Sequence, residues 1–154
     1  MKQFLLFLLF SSATAVAFSQ QVKFESGSSK HDKKPQLFAG TTNRFAMTAS
    51  FIDEVINAPL QSNASVIIAP GYVFKGKVSS VTSDAPGLKT VTIQSSEVNG
   101  AVLSLSQVTL EDKTVVYRGI VISKNHSDML MLEKDPVSGK YNWNKKQVSN
   151  MLAD

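Results

Sequence analysis

Lys89-Thr90-Val91-Thr92-Ile93-Gln94-Ser95, followed after a short break by Ala101-Val102-Leu103-Ser104-Leu105-Ser106-Gln107-Val108, carries the clearest structural pattern of the chain. Val91 and Ile93 alternate with Thr90, Thr92 and Gln94, and Leu103 and Leu105 alternate with Ser104 and Ser106. A period of two places the apolar set on one side of an extended chain and the hydroxyls on the other. Glu97-Val98-Asn99-Gly100 between the runs has the composition of a tight turn, so the two runs pair as an antiparallel hairpin, oily on one face and wet on the other.

The same pattern extends both ways. Val66 to Ala69 and Tyr72 to Val81 precede the hairpin; Thr114 to Ser123, Asp128 to Lys134 and a short run around Tyr141 to Asn144 follow it. All are rich in Val, Ile, Thr and Tyr, and turn compositions such as Ser83-Asp84-Ala85-Pro86-Gly87, Glu111-Asp112-Lys113 and Asp135-Pro136-Val137-Ser138-Gly139 separate them. In the run from Tyr72, Tyr72, Phe74, Gly76 and Val78 share one side, with Lys75, Lys77 and Ser79 on the other. Thr114 to Ser123 is apolar on both sides, which predicts a central strand covered on both faces. Gly76 and Gly119 sit inside strands, where a bulge or a close neighbour leaves no room for a side chain.

Two helices are expected to flank the sheet. Residues 45, 48, 49, 52, 55 and 56 fall on one helical face, which predicts a helix from about Arg44 to Asn57 capped by Thr42 or Asn43 and stopped near Pro59. Phe45, Met47, Ala49 and Phe51 also alternate, so a strand start is the competing reading. Gln147, Val148, Met151 and Leu152 predict a terminal helix over Lys145 to Leu152, capped by Asn144. The expected fold class is therefore mainly β: a small antiparallel meander of six to seven strands, curled into a barrel or sandwich, flanked by a short N-terminal and a short C-terminal helix.

Residues 1–19 read as a signal peptide. Lys2 gives the positive start, Phe4 to Phe10 the apolar run, and small residues precede candidate cleavage points before Phe18 or Gln20. The strongly apolar part is shorter than the ~20 residues a spanning helix needs, so no transmembrane anchor is expected after cleavage. Residues 20–42, polar with Lys23, Lys30, Lys33 and Lys34, read as a flexible basic tether, and 43–154 as a single β-rich domain. The expected localisation is exported, periplasmic or extracellular.

The chain has no cysteine, which removes disulfides, thiol nucleophiles, thiolate zinc sites and iron-sulfur clusters. Its net charge of +4 is modest, and no basic stripe interleaved with aromatics points to nucleic acid. Only His31 and His126 could join carboxylates around a metal, and their spacing builds no site; neither a metal nor a cofactor is expected. His126-Ser127-Asp128 gathers the residue types of a hydrolase triad, but consecutive residues of a hairpin point to opposite sides. No catalytic residue is assigned.

The candidate partner-binding residues are Tyr117, Met129, Met131, Tyr141 and Trp143, whose rings and thioethers form an apolar patch if exposed and a core anchor if not. Val66 to Ser106, with Ala69-Pro70-Gly71 and Thr92-Ile93-Gln94-Ser95, loosely resembles the β-domain of type IV secretion channel proteins. The resemblance covers those residues alone and finds no counterpart for the family's channel-forming helices; by itself it implies a role in envelope assembly. The expected function is an exported, non-catalytic module that binds a protein of the cell envelope or a co-secreted protein. The alternatives are a β-barrel binding carbohydrate or another small ligand, with Tyr117, Tyr141 and Trp143 as stacking rings, and a small secreted hydrolase using His126 and Asp128.

Overall fold

The computed structural model describes residues 34–151; the expected signal peptide and most of the expected tether lie outside them. The alternating runs become strands of one antiparallel sheet. They are β1 (Arg44–Met47), β2 (Asn63–Ala69), β3 (Tyr72–Ala85), β4 (Leu88–Ser95), β5 (Ala101–Thr109), β6 (Val115–Ser123), β7 (Asp128–Lys134) and β8 (Tyr141–Gln147), with one helix, α1 (Ala49–Ile56), after β1. β2 to β8 form a meander in chain order, and β1 adds to the far side of β8, giving the order β1-β8-β7-β6-β5-β4-β3-β2. The sheet curls as a half-barrel around its apolar face.

Faces follow the alternation. Phe74, Val78, Val91, Ile93, Leu103, Leu105, Val121, Leu130 and Leu132 are buried on the inner face, while Lys75 and Lys77 point to water. Gly76 and Gly119 are the positions where the sheet tolerates no side chain. A Cβ on Gly76 would stand 2.2 Å from the Gln94 carbonyl oxygen, and one on Gly119 2.5 Å from Leu105 Cδ2 and 3.0 Å from Trp143 Cη2. β6 does lie in the middle of the sheet, beside β5. Its second face is only half covered, because Val116, Ile120 and Ile122 remain partly open.

Among the described residues the sheet has eight strands rather than six or seven, and the two flanking helices reduce to one. Arg44–Met47, expected to begin the first helix, is a strand: Phe45 lies opposite Trp143 and Met47 opposite Tyr141. The open edge of β8 offers four residues of ladder, and Met47 Sδ accepts the indole N–H of Trp143 at 3.1 Å. An isolated short helix offers less. α1 then starts at Ala49, its N-cap is Thr48 rather than Thr42 or Asn43, and the Thr48 side chain makes no capping bond. Burial of Ile52, Val55 and Ile56 holds the helix, each side chain contributing about 1.5–3 kcal/mol. It packs over β4 and β5, and Lys89 Nζ donates to Asn57 Oδ1 at its C-terminus (2.7 Å).

The expected terminal helix is likewise mostly strand. Lys145, Lys146 and Gln147 pair with Leu130, Met129 and Asp128, and only a short 3₁₀ turn, Val148–Met151, follows. A helix from Lys145 would forfeit those three ladder positions.

The end of the expected tether is docked rather than free. Phe38 is fully buried and meets the Tyr72 ring edge-on at 5.4 Å between centroids. The buried carboxylate of Asp128 accepts the amides of Leu37 (2.6 Å) and Phe38 (2.9 Å). Lys145 Nζ donates to the carbonyls of Phe38 (3.0 Å) and Thr41 (3.3 Å). A carboxylate thus takes the donors of this turn and an ammonium its acceptors, so its polar backbone can lie against the core. Phe38 closes the end of the curl where β3 and β7 begin, and α1 covers the end that β1 leads into.

Among the described residues, two take left-handed backbone without being glycine. Gln61 has φ 66° and Lys113 φ 68°. Gln61 is the extra residue of a bulge, its amide donating to the Val78 carbonyl and the Val78 amide to the Ser62 carbonyl, both at 2.9 Å. Relief of a left-handed cost of about 1–2 kcal/mol, less glycine's own entropy of about 0.5–1 kcal/mol, makes Gln61→Gly and Lys113→Gly each stabilising by about 0.5–1 kcal/mol. A higher urea midpoint at unchanged slope is the expected reading; a lower midpoint for both would refute the strain assignment.

Candidate functional site

β6 and β7 pair at only three positions, Gly119 with Leu132, Ile120 with Met131 and Val121 with Leu130. Beyond them the strands separate, and the Tyr117 amide, which would otherwise face an empty ladder position, donates to the hydroxyl of Tyr141 at 3.1 Å. The two rings meet edge-on at 5.5 Å. The Tyr117 hydroxyl in turn donates to Asp53 on α1 at 3.1 Å. Burial, followed by that hydrogen bond, raises the phenol above its usual pKa. Tyr117 and Tyr141 therefore tie β6 to β8 past the end of the β6–β7 ladder, and Tyr117 ties β6 to the helix.

At the gap lies a depression of about 370 Å³ lined by Val116, Tyr117, Arg118, Gly119, Met131, Leu132, Glu133 and Lys134. A smaller one of about 180 Å³, lined by Ser104, Ser106, Arg118, Gly119 and Ile120, adjoins it. Arg118 and Gly119 belong to both. The registers of β4 to β8 set the outer-face neighbourhood: Thr90, Ser106 and Arg118 form one row, and Thr92, Ser104, Ile120, Met131 and Asn144 the next. Hydroxyls thus lie on the β4–β5 side and half-buried apolar side chains on the β6–β7 side, with a guanidinium between them.

Arg118 is exposed and has no ion-pair partner among the described residues. The carboxylate among the residues lining the two depressions, Glu133, is occupied by the Asn144 amide at 2.7 Å and Lys146 at 3.8 Å. A third depression, about 210 Å³, lies beside β1 around Arg44 and Asp135. There Arg44 is ion-paired with Asp135. Backbone amides of the β7–β8 turn, Ser138 first, and the Arg44 guanidinium hold that carboxyl well below the usual carboxylate range. This cation is already used.

The residues singled out from the sequence divide. Tyr141 and Trp143 are buried in the core, Trp143 with no exposed surface. Met129 is also fully buried, outside the main core cluster. Tyr117 and Met131 are half-buried and line the larger depression together. The five do not form one patch. His126 and Asp128 are likewise separated in role: the imidazole Nδ1 lies 2.8 Å from Ser123 Oγ, while the Asp128 carboxylate is engaged by the amides of residues 37 and 38. Ser127 Oγ donates to the Pro35 carbonyl at 3.4 Å. Among the described residues no three of His, Asp and Glu gather as metal ligands, and no helix is long and apolar enough to cross a membrane.

Arg118 was absent from the sequence-derived set. Its signal was a charged residue inside Val115-Val116-Tyr117-Arg118-Gly119-Ile120, a run otherwise apolar on both faces. No family model, no curated protein and no solved structure matches this chain.

Proposed function

We propose that this chain is an exported binding module that engages a protein of the cell envelope, or one secreted with it, through the outer face of its sheet, with Arg118 as the anchor. The observation that carries the reading is the Arg118 guanidinium, without an ion-pair partner among the described residues, at the junction of two depressions, between the hydroxyls of Ser104 and Ser106 and the half-buried Ile120 and Met131. Arginine flanked by apolar surface is a residue type that dominates protein interfaces, since it pairs bidentately with a carboxylate while its stem packs. An acidic side chain next to an aliphatic one is the partner chemistry this surface complements.

The inner face supports this choice over the small-ligand alternative. Tyr141 and Trp143, the rings a carbohydrate reading would use, are core residues, and side chains of the sheet, α1 and Phe38 fill the curl.

The test is affinity capture from the native envelope and culture medium, followed by titration of the captured protein against the wild type, Arg118→Glu and Met131→Asp. Both sites are on the outer face, so thermal stability should stay close to wild type, and each variant should weaken binding by at least about tenfold, or ~1.4 kcal/mol. Unchanged affinity in both variants would exclude this face.

A further inference from the structure

The two edges of the sheet differ. β1 is four residues long and carries Arg44. β2 is seven residues long, pairs only with β3 among the described strands, and lies in a run with no charged residue between Glu54 and Lys75. Natural edge strands usually carry lysine, proline or a short length that blocks pairing with another chain. β2 holds no lysine or proline, its one register shift falls between Ile67 and Ala69 and so leaves Asn63 to Ile67 regular, and Ile67 is 60% exposed.

The register shows which backbone groups are free. The Val78 amide donates to the Ser62 carbonyl, and Asn63, Ala64, Ser65, Val66 and Ile67 then oppose Lys77 back to Val73 in order. Hydrogen-bonded pairs alternate in an antiparallel ladder, so residues 62, 64 and 66 direct their amides and carbonyls to β3. Asn63, Ser65 and Ile67 direct theirs outward. The Ser96 amide donating to the Lys75 carbonyl agrees, because Lys75, opposite Ser65, faces β4.

We infer that β2 is a self-association edge, pairing antiparallel with β2 of a second copy about a two-fold axis at Ser65. Among symmetric registers this one uses all three outward residues of each chain, with Asn63 opposite the second copy's Ile67 and Ser65 opposite Ser65. A second copy suits the edge because an uncharged strand meets itself without like-charge repulsion. The nearest cation, Lys75, is ion-paired with Glu97 at 2.9 Å. It stands about three strand spacings, ~14 Å, from its symmetry mate, beyond the ~8 Å screening length of physiological salt.

The experiment is sedimentation of the chain from Gln20 over a concentration series, alone and as Ser65→Lys and Ser65→Glu. The wild type should show concentration-dependent dimer. Each variant sets like charges face to face across the axis and should weaken dimerisation at least about tenfold. An equimolar mixture of the two variants should restore dimer, which a merely misfolded variant cannot do. A wild type monomeric throughout, variants that still dimerise alone, a mixture that fails to recover, or association that vanishes only on removing residues 20–33 would each overturn the assignment.

Discussion

Asp128→Ala is expected to cost about 3–5 kcal/mol, a large share of a stability that for a domain of this size is typically about 5–15 kcal/mol. The carboxylate is fully buried, and one oxygen accepts the amide of Leu37 while the other accepts that of Phe38. Alanine leaves both donors without a partner at the edge of the core, each costing about 1–3 kcal/mol, and frees Phe38 to leave its place against Tyr72. Asp128→Asn retains one acceptor oxygen and should lose about half as much. Urea unfolding reads the loss, and hydrogen exchange locates it: the amides of residues 37 and 38 should lose protection first. A cost below ~1 kcal/mol with those amides still protected would mean that the turn is not held by this carboxylate.

Gly76→Ala is expected to cost about 3 kcal/mol or more, and more than Gly119→Ala, which should cost about 1–3 kcal/mol. The difference lies in what the new methyl meets. At Gly76 it meets the Gln94 carbonyl oxygen at 2.2 Å, so the β3–β4 ladder itself must move. At Gly119 it meets Leu105 Cδ2 at 2.5 Å, Trp143 Cη2 at 3.0 Å and Leu132 Cβ at 3.1 Å, side-chain atoms that can partly rearrange. Equilibrium unfolding of the two variants gives the ranking directly. Equal and small losses would contradict the close approach of β3 and β4.

Strand alternation was legible because it depends only on neighbours in sequence. Val91 with Ile93, Leu103 with Leu105 and Phe74 with Val78 face the core as their spacing requires, and the two strand glycines sit at contacts that exclude a side chain. What was not legible depended on distant partners. Arg44–Met47 fits a helical period and a strand period equally well, and the β8 edge decides between them. Lys145–Gln147 is drawn into β8 by Leu130, Met129 and Asp128. Phe38 stands in a polar stretch with nothing local to mark it as core; its burial needs Asp128 and Lys145, 90 and 107 positions away.

The candidate site was legible in part for the same reason. Tyr117 and Met131 are together at the larger depression, yet the rings expected beside them are inside. A buried Tyr141 capping the Tyr117 amide is a consequence of β7 separating from β6, and no local pattern announces that separation. Arg118 acquires its meaning only when Glu133, the carboxylate that shares its depression, is found to be engaged by Asn144 and Lys146.

The curl of the sheet is a filled core closed by Phe38 and α1, which leaves the outer face for the recognition proposed above. The chain has one tryptophan, Trp143, and it has no exposed surface, so its fluorescence reports the interior alone. Acrylamide quenching of the folded protein, without and with a panel of small sugars, is the most direct measurement. Blue-shifted emission, quenching far below that of the urea-unfolded chain, and no response to sugar are expected of a filled interior; red-shifted, readily quenched emission or protection by a sugar would rule it out.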